Sequence, residues 1–568
     1  MPLRRPALLC CTALMACMAV TAPALASSEQ RTATPFTLSS GTPRTPEQEA
    51  VRFDSARLAF DINPDAKTVQ AHARLDFTAQ SPVSAIVLEL DTRFAIDGIQ
   101  VGDTDITDWT NPEGRLTIPL PRSLEAGESV AVNIAYGGSP HPASRAPWDG
   151  GWVWSQSNGK PWIATAVQGE GCDLIWPCID HPMGEPARVD MYITVPAGLS
   201  APANGTLVSK QEHGDGSTTW HWTTRDPDTY AITLNFGPYQ ELSGQYESRY
   251  GNTIPMHFWA LDSVPQDKAQ GLFDQLPSML DFFEEWVGPY PFADEKVGVV
   301  ETPHLGMEHQ TINAYGNGYK LDGKGYDWLL QHELAHEWFG NQMTNVSWDD
   351  MWLHEGFGTY MQPLYAYWLH GERAMQAELE TMRRTLSNTH PLVSGEPQAA
   401  GTVYKAETGP ALDLYYKGAL IAHTLRMHIG DAAFKESLRR LVYDRADPQP
   451  GNFRPVYRTT ADYLAIVNAV TGKEWGWFFD AYLYYAALPD LVMTRSADAV
   501  RLTWQTGSKL SFTLPVEVEI DGQHLTVDMP GGTAVFSAPA SAHIILDPQS
   551  KILRRLPHIE EWKAAPRS

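Results

Sequence analysis

From Val51 onward the chain alternates apolar and polar residues with a period of two. The runs include Ala56-Arg57-Leu58-Ala59-Phe60, Ala73-Arg74-Leu75-Asp76-Phe77 and Val130-Ala131-Val132-Asn133-Ile134-Ala135-Tyr136. Strands with one packed and one wet face read this way. The pattern continues through residues 189–195 and 231–236, which predicts an antiparallel β domain over 49–243. Between 244 and 487 the period becomes helical. Over 266–287, Leu272, Phe273, Leu276, Met279, Leu280 and Phe283 share a face, and a strand over 296–300 and helices over 411–429 and 431–443 follow. Short strands then return at 500–504, 512–520, 524–529 and 543–546, separated by Asp521-Gly522 and Pro530-Gly531-Gly532. They predict a small β-sandwich over 488–556 and leave a short polar tail, 557–568. Residues 27–48, rich in Thr, Ser and Pro, read as a poorly ordered linker. The expected class is α+β multidomain, because 568 residues exceed what one core supports.

Arg4 and Arg5, an apolar run from Ala7 to Val20, and Ala24-Leu25-Ala26 before Ser27 have the layout of a signal peptide. Cleavage is expected after Ala26, with a lipoprotein site at Cys17 as the second reading. Nothing later is long enough to span a membrane, so a periplasmic or secreted protein is expected. The formal net charge of −25 becomes −27 without Arg4 and Arg5. That argues against nucleic-acid or anionic-membrane partners and would draw a cationic substrate group. Cys172 and Cys178 remain after cleavage; a disulfide and two separate thiols both fit their spacing. Oligomeric state is open, with a monomer favoured.

Chemistry concentrates in Gln331-His332-Glu333-Leu334-Ala335-His336. Histidines four apart leave one face of a helix and can share one Zn²⁺, one per chain. Glu333 then stands beside the metal as a candidate general base for bound water. Glu355 lies 19 residues past His336, among Trp352, Phe357 and Tyr360. A carboxylate in such apolar company suits a third ligand and leaves one position open, the catalytic arrangement. Gly356 and Gly358 would let this second helix approach the first, with Asp349 or Asp350 as its cap.

His304-Leu305-Gly306-Met307-Glu308-His309 precedes these helices. With it, the chain resembles the aminopeptidase N-type gluzincins in a short three-domain form. Those proteins carry Gly-x-Met-Glu-Asn, then His-Glu-x-x-His, then a Glu at this spacing. Leu305 and His309 depart from that pattern. The resemblance implies a thermolysin-like α/β zinc catalytic domain in the middle of the chain. It implies that Glu308, with Gly306 and Met307, binds the substrate's α-amino group. Val167-Gln168-Gly169-Glu170 resembles the family's Gln-x-Glu, implying a second carboxylate in Glu170 and a pocket-shaping Gln168. Tyr415-Tyr416-Lys417-Gly418 resembles Tyr-x-Lys-Gly, implying oxyanion stabilisation by Tyr415.

The expected activity is removal of N-terminal residues from unblocked peptides, with Glu333 shuttling the proton. Rival readings are an epoxide-hydrolase-type relative, a catalytically silent peptide-binding scaffold and a thermolysin-like endopeptidase. His304, His309 and His354 are expected to be packing or pocket residues.

Overall fold

The computed structural model describes residues 32–321, 323–451, 453–507 and 512–565. The signal peptide and the Cys17 reading fall outside them. Among the described residues, no helix is long and apolar enough to cross a membrane.

The alternating runs build an eight-stranded sheet. Its spatial order is Thr206–Glu212, Thr218–Arg225, Arg188–Val195, Val51–Asn63, Thr68–Ala79, Ser129–Gly138, Phe94–Val101 and Thr104–Ile106. All neighbours are antiparallel except Val51–Asn63 and Arg188–Val195, where Ala56 faces Val189 in a parallel pair. The buried partners Leu58, Phe60, Leu75, Phe77, Val132 and Ile134 show why the period of two was needed. Cys172 and Cys178 form a disulfide, which resolves the alternative that spacing left open.

A five-stranded sheet opens the second domain, in the order Tyr239–Glu247, Thr253–Leu261, Val297–Glu301, Asn313–Tyr315, Gly306–Met307. Tyr239–Glu247, whose first residues fall inside the expected β domain, pairs antiparallel with Thr253–Leu261 in this sheet. Gly306–Met307 is the antiparallel edge, with Gly306 opposite Tyr315. The helix expected over 266–287 is two, Gln266–Phe273 and Leu276–Trp286, with Pro277 in the first turn of the second. The C-terminal sandwich pairs Asp490–Arg495, Ala499–Gln505 and Thr533–Ser537 against Gln523–Val527, Val516–Ile520 and Ile544–Leu546. Its Leu502, Trp504 and Val518 belong to the same hydrophobic core as the catalytic helices.

The linker read as poorly ordered and the short polar tail are both packed. In the arm from residue 32, Ser40 donates to Asp180 Oδ1 at 2.9 Å and Thr37 to Asp91 Oδ2 at 2.7 Å. A capped helix, Pro46–Glu49, follows within the expected linker. The tail forms the helix Pro557–Ala564, which buries Ile559 and ties Lys563 Nζ to the Leu386 carbonyl at 2.8 Å.

Candidate active site

The helix Trp328–Ala335 starts where Asp327 accepts from the backbone N–H groups of Leu329 and Leu330, satisfying two donors at its open end. His332 and Glu333 lie in the helix, and His336 is its C-cap residue. His336 Nδ1 lies 2.8 Å from the Phe339 carbonyl; as donor there, it leaves Nε2 free as a ligand. The longer helix Trp352–His370 brings Glu355 in from the other side.

The two Nε2 atoms stand 3.2 Å apart. Glu355 Oε2 is 3.4 Å from that of His336 and 3.8 Å from that of His332. All three donors lie within 4.8 Å of one another. Zinc–nitrogen bonds of about 2.0–2.1 Å at tetrahedral angles put two ligand nitrogens roughly 3.3 Å apart, so the spacing fits. Glu355 Oε2 is also buried with no hydrogen-bond partner among the described residues. Burial opposes a charge on His336, yet Glu355, Glu308 and Glu333 outweigh it and push its pKa up to about 10. Three carboxylates around two imidazoles call for a cation, and the donor set suits Zn²⁺.

Glycines set the spacing. A Cβ at Gly358 would strike the His336 ring, and one at Gly306 would strike Glu333 Oε1. The edge strand therefore lies directly against the Glu333 carboxylate, which is buried on the same wall. Gly356 faces Gly418 of the helix Asp413–Ile429, not the first helix as expected. That close approach serves Tyr415, one turn before Gly418, whose hydroxyl meets Glu355 and Tyr404. Burial first, then Glu355, hold Tyr415 protonated well above the ordinary phenol range. Neither Asp349 nor Asp350 caps the Trp352 helix: Asp349 accepts from Ser394 and Gly395, and Asp350 from Thr460.

On the opposite wall Glu308 is buried and held from behind. Its Oε1 accepts from the Tyr230 hydroxyl at 2.7 Å and from Gln168 Nε2. His354 Nε2 lies 3.2 Å from Tyr230 Oη and 3.6 Å from Glu308 Oε1. Tyr404 Oη sits 3.3 Å from Gln168 Oε1 and 3.2 Å from Glu355 Oε1, joining the two walls. Glu170 is placed differently. Its carboxylate accepts from the Gly150 N–H, and burial, first among several causes, raises its pKa to about 7. Met307 is buried and packs with the hydrophobic core of the β domain. His304 and His309 are buried as expected of packing groups.

Tyr230 and Tyr404 were not singled out by the sequence. Tyr230 lies within a turn before an apolar run and Tyr404 closes the four-residue helix Ala400–Val403, so neither shares a motif with its partners.

Two family models match the chain: the Peptidase M1 N-terminal domain over residues 52–230 and the Peptidase family M1 domain over 274–456. The chain is similar to the Tricorn protease-interacting factor F2 of Thermoplasma volcanium, 23% identical over 361 residues, 60% of this chain and 43% of that protein. It is also similar to Probable aminopeptidase 2 of Sulfurisphaera tokodaii, 22% identical over 409 residues, 67% of this chain and 48% of the other. The chain thus spans less than half the length of these relatives. Among solved structures it is similar to an M1 zinc metallopeptidase variant from Deinococcus radiodurans bound to a Tyr-Ser-Ala substrate. That likeness has a TM-score of 0.65 and 26% identity, over 78% of this chain and 96% of the other. A two-domain M1 zinc metallopeptidase variant bound to L-arginine gives the same TM-score and identity over 79% and 97%.

Proposed function

The chain belongs to peptidase family M1, and on that premise we propose that it is a secreted zinc aminopeptidase acting on peptides with a free N-terminus. The observation that carries this reading is Glu308, a buried carboxylate propped by Tyr230 and Gln168 and linked through Tyr404 to Glu355. An anionic group fixed across from a metal donor set suits an ammonium one residue from the cleaved bond.

His332, His336 and Glu355 would hold the metal. When bound, Zn²⁺ supplies Lewis acidity, polarising the substrate carbonyl and acidifying water. Glu333 takes the proton of the attacking water and delivers it to the leaving amine. The Tyr415 hydroxyl donates to the carbonyl oxygen as it gains charge. Glu308 fixes the α-amino group, and Gln168 and Tyr230 hold Glu308 in place. Glu170, two residues along from Gln168, would add a second carboxylate for that amine on the family resemblance alone, since its carboxylate lies against Gly150. The disulfide supports a location outside the reducing cytosol.

The test is a panel of aminoacyl amides, each with and without N-acetylation, given to the zinc-loaded protein. Hydrolysis confined to the free amines is expected; equal rates on the acetylated set would remove the exopeptidase reading.

A further inference from the structure

The His354 ring is 2% exposed and stacks on His336, with centroids 4.5 Å apart and planes 29° apart. A Cβ on Gly340, at φ +141°, would strike the Nε2 edge of that ring, so backbone closes over it there. Packing accounts for the ring but not for its nitrogens. Nδ1 has no hydrogen-bond partner among the described residues and lies 4.0 Å from Glu355 Oε1. Nε2 lies 3.2 Å from Tyr230 Oη.

Counting donors fixes what that second contact is. Tyr230 has one hydroxyl hydrogen, and an ionised carboxylate only accepts. Glu308 Oε1, 2.7 Å away, takes it. The Tyr230 oxygen therefore presents lone pairs to His354, and Nε2 must carry a ring proton. The opposite tautomer would bury an N–H at Nδ1 with no acceptor in reach and set lone pair against lone pair at Tyr230. Nε2 also lies 3.6 Å from Glu308 Oε1, too far to bond the carboxylate itself, so its effect passes through Tyr230.

We propose that His354 is a positioning residue of the amine clamp, donating from Nε2 to Tyr230 so that the Tyr230 proton stays on Glu308. Donation into the phenol oxygen strengthens the hydrogen bond that this oxygen gives onward. It also removes the alternative in which the hydroxyl turns to His354 and deserts Glu308. Tyr230 comes from the β domain and is held between Glu308 and His354 of the catalytic domain. The inference rests on the reading of Glu308 as the ammonium-binding carboxylate.

The test is a binding measurement on the full, zinc-loaded chain carrying Glu333→Gln, so that ligand is not consumed. Calorimetry gives the dissociation constants of the aminoacyl amides and of their N-acetylated forms. His354→Leu, His354→Gln, Tyr230→Phe and the double variant His354→Leu/Tyr230→Phe are each added to this parent. Gln brings an amide N–H to about the place of Nε2, whereas Leu keeps bulk without a donor. His354→Leu is expected to weaken binding of the free amines about 3–10-fold, with the acetylated amides and the zinc content unchanged. His354→Gln should recover most of that loss, and the double variant should bind no more weakly than Tyr230→Phe alone. No loss with Leu, equal losses with Leu and Gln, losses that multiply in the double variant, or equal losses for free and acetylated ligands would each overturn the proposal and leave His354 a packing residue. A parent that binds free and acetylated amides equally would remove the clamp reading, and this inference with it. If His354→Leu does not fold, His354→Asn, whose shorter amide falls short of Tyr230, takes its place.

Discussion

The two walls of the cleft treat their buried charge in opposite ways. On the metal side, Glu355 Oε2 and His332 Nδ1 are left without hydrogen-bond partners among the described residues. On the clamp side, Glu308 draws donors from Tyr230 and Gln168, two distant parts of the chain. A resident ion satisfies the ligand atom that faces it whenever the protein is loaded, so Glu355 Oε2 needs no donor, while Oε1 takes the Tyr404 hydroxyl. On the proposed reading a substrate amine comes and goes, so the carboxylate that would receive it must be stable alone, and the chain supports Glu308 from behind.

Substitutions can break or sharpen that contrast. Glu333→Gln removes the proposed proton carrier but touches neither set of partners; kcat should fall by about 10²–10⁴ with zinc content unchanged. Steady-state rates and elemental analysis check both halves. Glu308→Gln keeps shape and loses charge. Its kcat/KM on free aminoacyl amides should drop about 100-fold while rates on acetylated ones stay level, a ratio read from the same panel. Gly306→Ala pushes a methyl group at the Glu333 carboxylate, and kcat should fall about 10-fold with little change in KM. Tyr230→Phe withdraws one hydrogen bond from Glu308, and KM should rise about 3–10-fold with kcat nearly constant. A Tyr230→Phe effect on zinc content instead would mean that the two walls are not separate.

The metal wall was the more legible in sequence. His332, Glu333 and His336 are four-residue neighbours on one helix, and the periodicity that reveals the helix reveals the ligands. Glu355 stood out because its surroundings were aromatic. The clamp wall is assembled from segments far apart in the chain, so Glu308 was visible only through resemblance, and Tyr230 and Tyr404 were not visible at all. Backbone approach was half legible: the glycines were found, but Gly356 was matched to the wrong helix, because spacing cannot say which neighbour a glycine meets. The same limit misjudged residues 32–48. Their Thr and Ser read as solvent-loving, but Thr37 and Ser40 hydrogen-bond to buried carboxylates that lie more than fifty residues away in sequence.

That amino-terminal arm also joins the domains. Ser40 reaches Gly169 beside the clamp with its N–H and the Ala400 N–H with its carbonyl, and Gly41 lies against the Trp348 ring. It works as a stitch through two pieces of cloth. A protease that nicked the chain near residue 45 would leave every active-site residue intact and still loosen the seam between Gln168 and Tyr404, giving a partly active, heat-labile product.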